Sequence, residues 1–212
     1  MGDGFTSSLA AFALTSLIIE LTPGPNMAYL AALSLSRGTR AGIAAVLGIT
    51  LGLAIFGVAA AVGVATLILQ STILYESLRW AGVAYLLWLA WEGWASERDV
   101  TSDAPASPGD TPWYAFRRGL ITNLLNPKAG IFYVATLPRF VDAAAGNVTH
   151  QAILLSAIYV SIATLIHLAI VLLAGRLFSL LETPDSRRTT RRVLSLALVG
   201  IAVWFAFSTR RG

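Results

Sequence analysis

The sequence contains no cysteine, only two histidines and two methionines, and charged residues at just 12% of its 212 positions. The missing cysteine excludes disulfides, thiolate nucleophiles and cysteine-held metals. With so few histidines and methionines, soft-metal ligands are nearly absent as well. The chain also lacks a Gly-x-Ser-x-Gly elbow, a His-Glu-x-x-His pair, a phosphate-cradling Gly-x-x-x-x-Gly-Lys-Ser/Thr loop and paired intramembrane aspartates. Hydrolytic, metalloenzyme and nucleotide chemistries therefore have no parts to work with, and neither an enzyme nor a cofactor is expected. A soluble domain carries about a quarter charged residues. Here 56% of the residues are hydrophobic and the mean hydropathy is +0.71.

What remains is apolar sequence in long runs. The charges cluster in short stretches, and the runs between them are roughly twenty or more residues long, enough to cross about 30 Å of hydrocarbon. The chain reads as an all-α integral membrane protein with six transmembrane helices, near 5–36, 40–69, 73–95, 114–141, 149–180 and 192–209. No basic stretch precedes the first run, so it reads as a retained helix and not a cleaved leader. Residues 96–112, SERDVTSDAPASPGDTP, form a polar linker. They separate a first three-helix repeat, 1–95, from a second, 113–212.

Both repeats open on a helix broken at proline: Pro23-Gly24-Pro25-Asn26 in the first and Asn126-Pro127-Lys128 in the second. Three crossings are an odd number, so the second repeat starts on the opposite side of the membrane and the two repeats are inverted. Interrupted segments at matching positions of inverted repeats point to a transport site near the bilayer midplane.

The formal charge of +4 does not signal nucleic acid, because the arginines are spread through short loops and do not line one face. They indicate sidedness. Setting Lys128 aside as intramembrane, Arg37, Arg40, Arg98, Arg117, Arg118, Arg176, Arg187, Arg188, Arg191 and Arg192 fall on one side, and Arg79, Arg139, Arg210 and Arg211 on the other. Loops 37–40, 96–118 and 182–192 are then cytoplasmic and both termini outside. This sidedness holds for broken segments that are full crossings; a re-entrant hairpin at either one flips everything after it. The 187–192 arginines also suit an anchor on anionic lipid. Tyr85, Trp88, Trp91 and Trp94 read as an interfacial aromatic belt.

An unbroken helix over residues 5–36 would be about 48 Å long at 1.5 Å per residue, too long for the hydrocarbon core. Pro25 is suited to the first position of a new half-helix, where its missing N–H costs nothing, and Gly24 permits the turn. The N–H groups that follow lack intrahelical partners and carry the positive end of the helix dipole. The same holds after Pro127. Two such ends at one cavity suit a carboxylate.

Lys128 in mid-helix costs roughly 2.5 to 3.5 kcal/mol on insertion scales, so it must meet a partner or a wet cavity. Glu20, an acid deep in an apolar segment just before the other break, is its expected partner. Carboxylate on one side, ammonium and half-helix N-termini on the other, make the complement of a free amino acid. Gly119, Asn123, Asn126 and Gly130 form one polar and small stripe at helical spacing. It serves either as interhelical glue or as the lining of a substrate path. Gly38, Ala41, Ala45, Gly48 and Gly52 form a second, read as close helix packing. His167, in the fifth segment, and Glu20 are the candidates for proton coupling. No metal-binding residues are proposed.

These residues resemble a known family. PGPNMAYLAALSLSRGTRAGIAAVLGITLG (23–52) is similar to the first signature of the LysE/RhtB amino-acid exporters, FRRGLITNLLNPKAGIFYVATLPRFV (116–141) to the second, and WAGVAYLLWLAWEGW to the third helix. The resemblance implies an inner-membrane exporter of amino acids or close derivatives, driven by the proton-motive force, with protons and the bilayer as partners and a homo-oligomer as an open option. Pro23, Gly24, Pro25, Asn26, Asn126, Pro127 and Lys128 fall within its motifs. Glu20, Asn123 and His167 rest on the residue-level argument alone. The family pattern carries polar residues in helix two where this chain has Leu53, Ala54, Ile55 and Phe56, so the resemblance assigns neither the proton-coupling residue nor the side-chain preference. A cation or metal-ion exporter, a passive small-solute channel and a non-transporting scaffold are the alternatives.

Overall fold

The computed structural model describes residues 2–63, 71–95, 111–142, 144, 146–179 and 184–208. Positions 64–69 of the expected second span, most of the linker (96–110), residues 182 and 183, and Arg210 and Arg211 lie outside them. Every regular element among the described residues is helical.

Helices α1 (Gly2–Leu21) and α2 (Pro25–Arg37) are bent by 56° at the break between them. Gly24 is extended and Pro25 opens α2, so proline's missing donor falls where the helix needs none. Helix α2 stops at Gly38, whose φ of 81° favours glycine, and α3 (Thr39–Ala61) starts at the next residue. Then come α4 (Thr72–Ala95) and α5 (Pro112–Leu124). Thr111 caps α5 by accepting from the Tyr114 N–H at 3.3 Å.

The second broken segment is more irregular than expected. After α6 (Pro127–Ile131) it becomes a π turn over Phe132–Thr136 and a 3-10 turn over Leu137–Phe140. Pro138 has no N–H for the Val134 carbonyl, so an α-helix cannot continue there unbroken. Two long helices complete the chain, α7 (Val148–Ser179) and α8 (Pro184–Ser208). Helix α8 begins earlier than the expected 192, so residues 187–192 belong to its first turns and not to a loop.

Thr39–Ala61 and Val148–Leu177 are each long and apolar enough to cross a membrane. The bent pair Ser8–Leu21 and Pro25–Arg37 makes a third such stretch, and Arg192–Trp204 is apolar but shorter. Leu47, Leu165 and Leu173 are 58%, 68% and 63% exposed on α3 and α7. So much apolar surface suits lipid, not water.

Helix α3 is the centre of the bundle, parallel to α5 and antiparallel to α7. A Cβ on Gly48 would lie 2.0 Å from the Phe116 carbonyl oxygen, and one on Gly119 would lie 2.2 Å from that of Ala45. The two backbones therefore touch, and only glycine allows it. On α7, Thr164 shares a 2.9 Å hydrogen bond with Thr50 of α3. Helix α4 packs on α8, where Arg79 donates to the Ala206 carbonyl. Phe12, Leu30, Ile49, Phe132, Tyr133 and Tyr159 belong to the main core.

Gly48→Ala is expected to push α3 and α5 apart, because the obstacle is backbone and cannot change rotamer. Overpacking typically costs 1–3 kcal/mol, about 2–4 °C per kcal/mol for a chain of this size. Thermal unfolding in detergent should show a Tm lower by roughly 2–12 °C; an unchanged Tm contradicts the contact.

Candidate functional site

The two breaks meet. Glu20, on the last turn of α1, is only 5% exposed. The Tyr159 hydroxyl on α7 donates to Glu20 Oε1 at 2.7 Å. Lys128 Nζ, from α6, lies 3.8 Å from Glu20 Oε2, and His167 Nε2, from α7, lies 4.0 Å from the same oxygen. Three groups thus converge on one buried carboxylate.

Lys128 Nζ also donates to the Thr22 carbonyl at 2.7 Å. Thr22 follows α1, its N–H closing the last turn onto the Ile19 carbonyl at 3.1 Å, so its own carbonyl lies at the negative end of the helix dipole. The ammonium therefore caps one helix while facing an acid. Its stem packs over Gly24, where a Cβ would sit 3.3 Å from Lys128 Cδ.

Asn26, on the first turn of α2, donates through Nδ2 to Asn123 Oδ1 of α5 at 2.9 Å, which ties the two broken segments together. Asn26 Oδ1 and Asn123 Nδ2 are buried with no hydrogen-bond partner. Asn126 has a local duty: its Oδ1 accepts from the Lys128 N–H at 3.1 Å, and its carbonyl accepts from the N–H of Ala129 at 3.1 Å and of Gly130 at 3.4 Å. The breaks therefore differ. Donors after Pro127 are already satisfied by Asn126, so this segment offers the Lys128 side chain and not its backbone. In α2 the first turn-closing bond runs from Ala28 N to Gly24 O at 3.0 Å, and the N–H groups of Asn26 and Met27 precede it.

Glu20, Gly24, Asn26, Asn126, Lys128 and Tyr159 line one crevice of about 10 Å³, room for about one water. A wider cleft of about 290 Å³ shares Gly24 and Lys128 with this crevice and is lined also by Pro23, Pro25, Ile131, Phe132 and Trp204, among others. Pro23 is exposed at this cleft, whereas Pro127 is buried. His167 is fully buried and neither ring nitrogen has a hydrogen-bond partner.

Tyr159 is the site residue that the sequence did not single out. It stacks on Phe132 with ring centroids 3.6 Å apart and meets Tyr133 edge-on at 5.5 Å. Its one signal was a position about two turns before His167, near the same helix face.

The sequence profile described as LysE type translocator matches residues 17–209. A membrane protein of Vibrio cholerae with no assigned function is 27% identical over 92% of this chain and 95% of its own length. The homoserine/homoserine lactone efflux protein of Salmonella typhimurium is 34% identical over 62% of this chain and 63% of its own. For the leucine efflux protein of Klebsiella pneumoniae the identity is 35%, over 60% of each chain. No solved structure matches. With a profile that spans nearly its whole length, the chain belongs to the LysE type translocator family, whose members are membrane transport proteins and not enzymes.

Proposed function

We propose that this protein exports amino acids or close derivatives across the bacterial inner membrane by alternating access, coupled to protons. One observation carries the reading: a buried carboxylate, Glu20, and an ammonium, Lys128, face each other 3.8 Å apart where two broken helices meet. The pair is the complement of a zwitterion. Lys128 and the open N-terminus of α2 receive the substrate carboxylate, and Glu20 receives its ammonium or the coupling proton. Proteins named for the efflux of homoserine and of leucine are among the relatives, which supports amino acids as cargo.

The crevice holds about one water in this conformation, so the substrate is admitted only when the crevice joins the wider cleft or opens the other way. That fits a carrier and not a permanent pore. The architecture proposed is six crossings in two inverted three-helix repeats, 1–95 and 113–212. The cross-packing of α3 with α7 and of α4 with α8 supports it, since each pairs a helix with its counterpart in the other repeat. Both termini lie outside, and the segments 37–40, 96–118 and 182–192, which include the first turns of α5 and α8, face the cytoplasm.

The test is efflux of preloaded labelled leucine and homoserine from proteoliposomes, with and without an imposed pH gradient. Saturable efflux that the gradient accelerates is expected. Flux proportional to concentration without saturation points to a channel, and no flux of either compound sinks the substrate assignment.

A further inference from the structure

Helix α2 runs from the break to Arg37, roughly 18 Å at 1.5 Å per residue, and α5 covers the same depth from Pro112 to Leu124. A line of buried polar side chains follows the two helices. It begins at Asn26 and Asn123, passes Tyr29 and Thr122, and ends at Arg118. Tyr29, 3% exposed on α2, feels the charge of Arg118 and Arg37. Asn26 Oδ1, Asn123 Nδ2, the Tyr29 hydroxyl and Arg118 Nε are all buried with no hydrogen-bond partner. Packed interiors rarely leave so many polar atoms unmet along one line.

The end of the line is tightly held. Arg118 is 7% exposed, with its guanidinium 4.3 Å from the Tyr114 ring centre and 4.7 Å from that of Trp88. It donates to the Tyr114 hydroxyl at 2.9 Å and is ion-paired with Glu92 of α4. The other oxygen of Glu92 lies 4.0 Å from Arg37, the last residue of α2. One carboxylate on α4 thus bridges an arginine from each broken segment. The cleft of about 290 Å³ lies at the breaks, toward Thr136 and Trp204, away from this bridge.

We propose that the α2–α5 seam is the second half of the substrate path, collapsed in this conformation and shut at its far end by the Glu92 bridge to Arg118 and Arg37. When the bridge opens, water and the amino-acid zwitterion enter the seam, and its unmet donors and acceptors are satisfied. The identity of the cargo rests on the export reading above; the route and its lock do not.

The chain has no cysteine, so a single introduced thiol reports without background. Thr122→Cys places one in the seam, and Ala163→Cys, fully buried on α7, serves as the control. Both are treated in proteoliposomes with a membrane-impermeant methanethiosulfonate. Thr122→Cys is expected to react slowly alone and at least about tenfold faster with Glu92→Gln, while Ala163→Cys stays slow in both backgrounds. Should the double variant fail to fold, Thr122→Cys alone should react faster while the protein turns over leucine. The proposal is overturned if Thr122→Cys remains as inert as the control under both conditions, or if Glu92→Gln accelerates both thiols equally. Faster seam labelling without leucine or homoserine flux upholds the route and removes the cargo. Efflux with an inert seam does the reverse.

Discussion

Lys128→Ala is expected to reduce amino-acid affinity by roughly 10- to 150-fold and to bring efflux at low substrate close to background. A hydrogen bond to a charged group contributes about 1.5–3 kcal/mol, and each 1.4 kcal/mol is tenfold in binding. The change does more than remove a ligand. It uncovers the Thr22 carbonyl, which Lys128 Nζ holds at 2.7 Å, and it leaves the buried Glu20 carboxylate without its ammonium partner. Removing one partner of a buried ion pair destabilises by about 3–5 kcal/mol; the Lys128 side chain is 21% exposed, so the lower end applies. Lys128→Arg separates the two effects. It keeps the charge, but the stem packed over Gly24 leaves little room for a planar guanidinium. Stability should then recover more than transport does. The measurements are substrate binding in detergent, efflux from proteoliposomes, and Tm. An alanine variant that binds and exports at the unmutated rate refutes the assignment.

Lys128 and Glu20 were legible because charge is expensive in hydrocarbon: one ammonium and one carboxylate, each beside a proline break, had to find each other or water. The breaks themselves were legible from Pro25 and Pro127, since proline's missing donor is a local fact. Arg118 was not legible. An arginine near the end of an apolar run ordinarily reaches for the interface and marks sidedness, and the loop reading followed from that. Its burial depends on Glu92 and Trp88 arriving from α4, which no local pattern records. Asn126 has two duties. Asn before Pro is a helix cap by local chemistry, and its Oδ1 accepts from the Lys128 N–H, while the same residue lines the crevice with Glu20 and Lys128. The glycines of α3 announced a close approach, while the partner, α5, became known only from the packing.

Glu20→Gln is expected to uncouple transport from the pH gradient while leaving exchange in place. Glutamine has nearly the same shape, and its amide oxygen still accepts from the Tyr159 hydroxyl, so the aromatic packing around Phe132 and Tyr133 is retained. What disappears is the charge toward which Lys128, His167 and Tyr159 all converge, and with it the capacity to take up and release a proton there. Counterflow of labelled leucine against unlabelled leucine needs the carrier to reorient with substrate bound, not to return with a proton, and should persist within about tenfold, the effect of one lost charged contact of 1.4 kcal/mol. Efflux driven by an imposed gradient should fall to its value without the gradient. The same vesicles supply both readouts, and Tm identifies a misfolded variant, which loses both activities and stability together. Gradient-driven efflux that survives at full size places the coupling proton on another group. Loss of both activities in a variant with an unchanged Tm gives Glu20 the substrate's ammonium instead, because a residue needed only for the proton is dispensable for exchange.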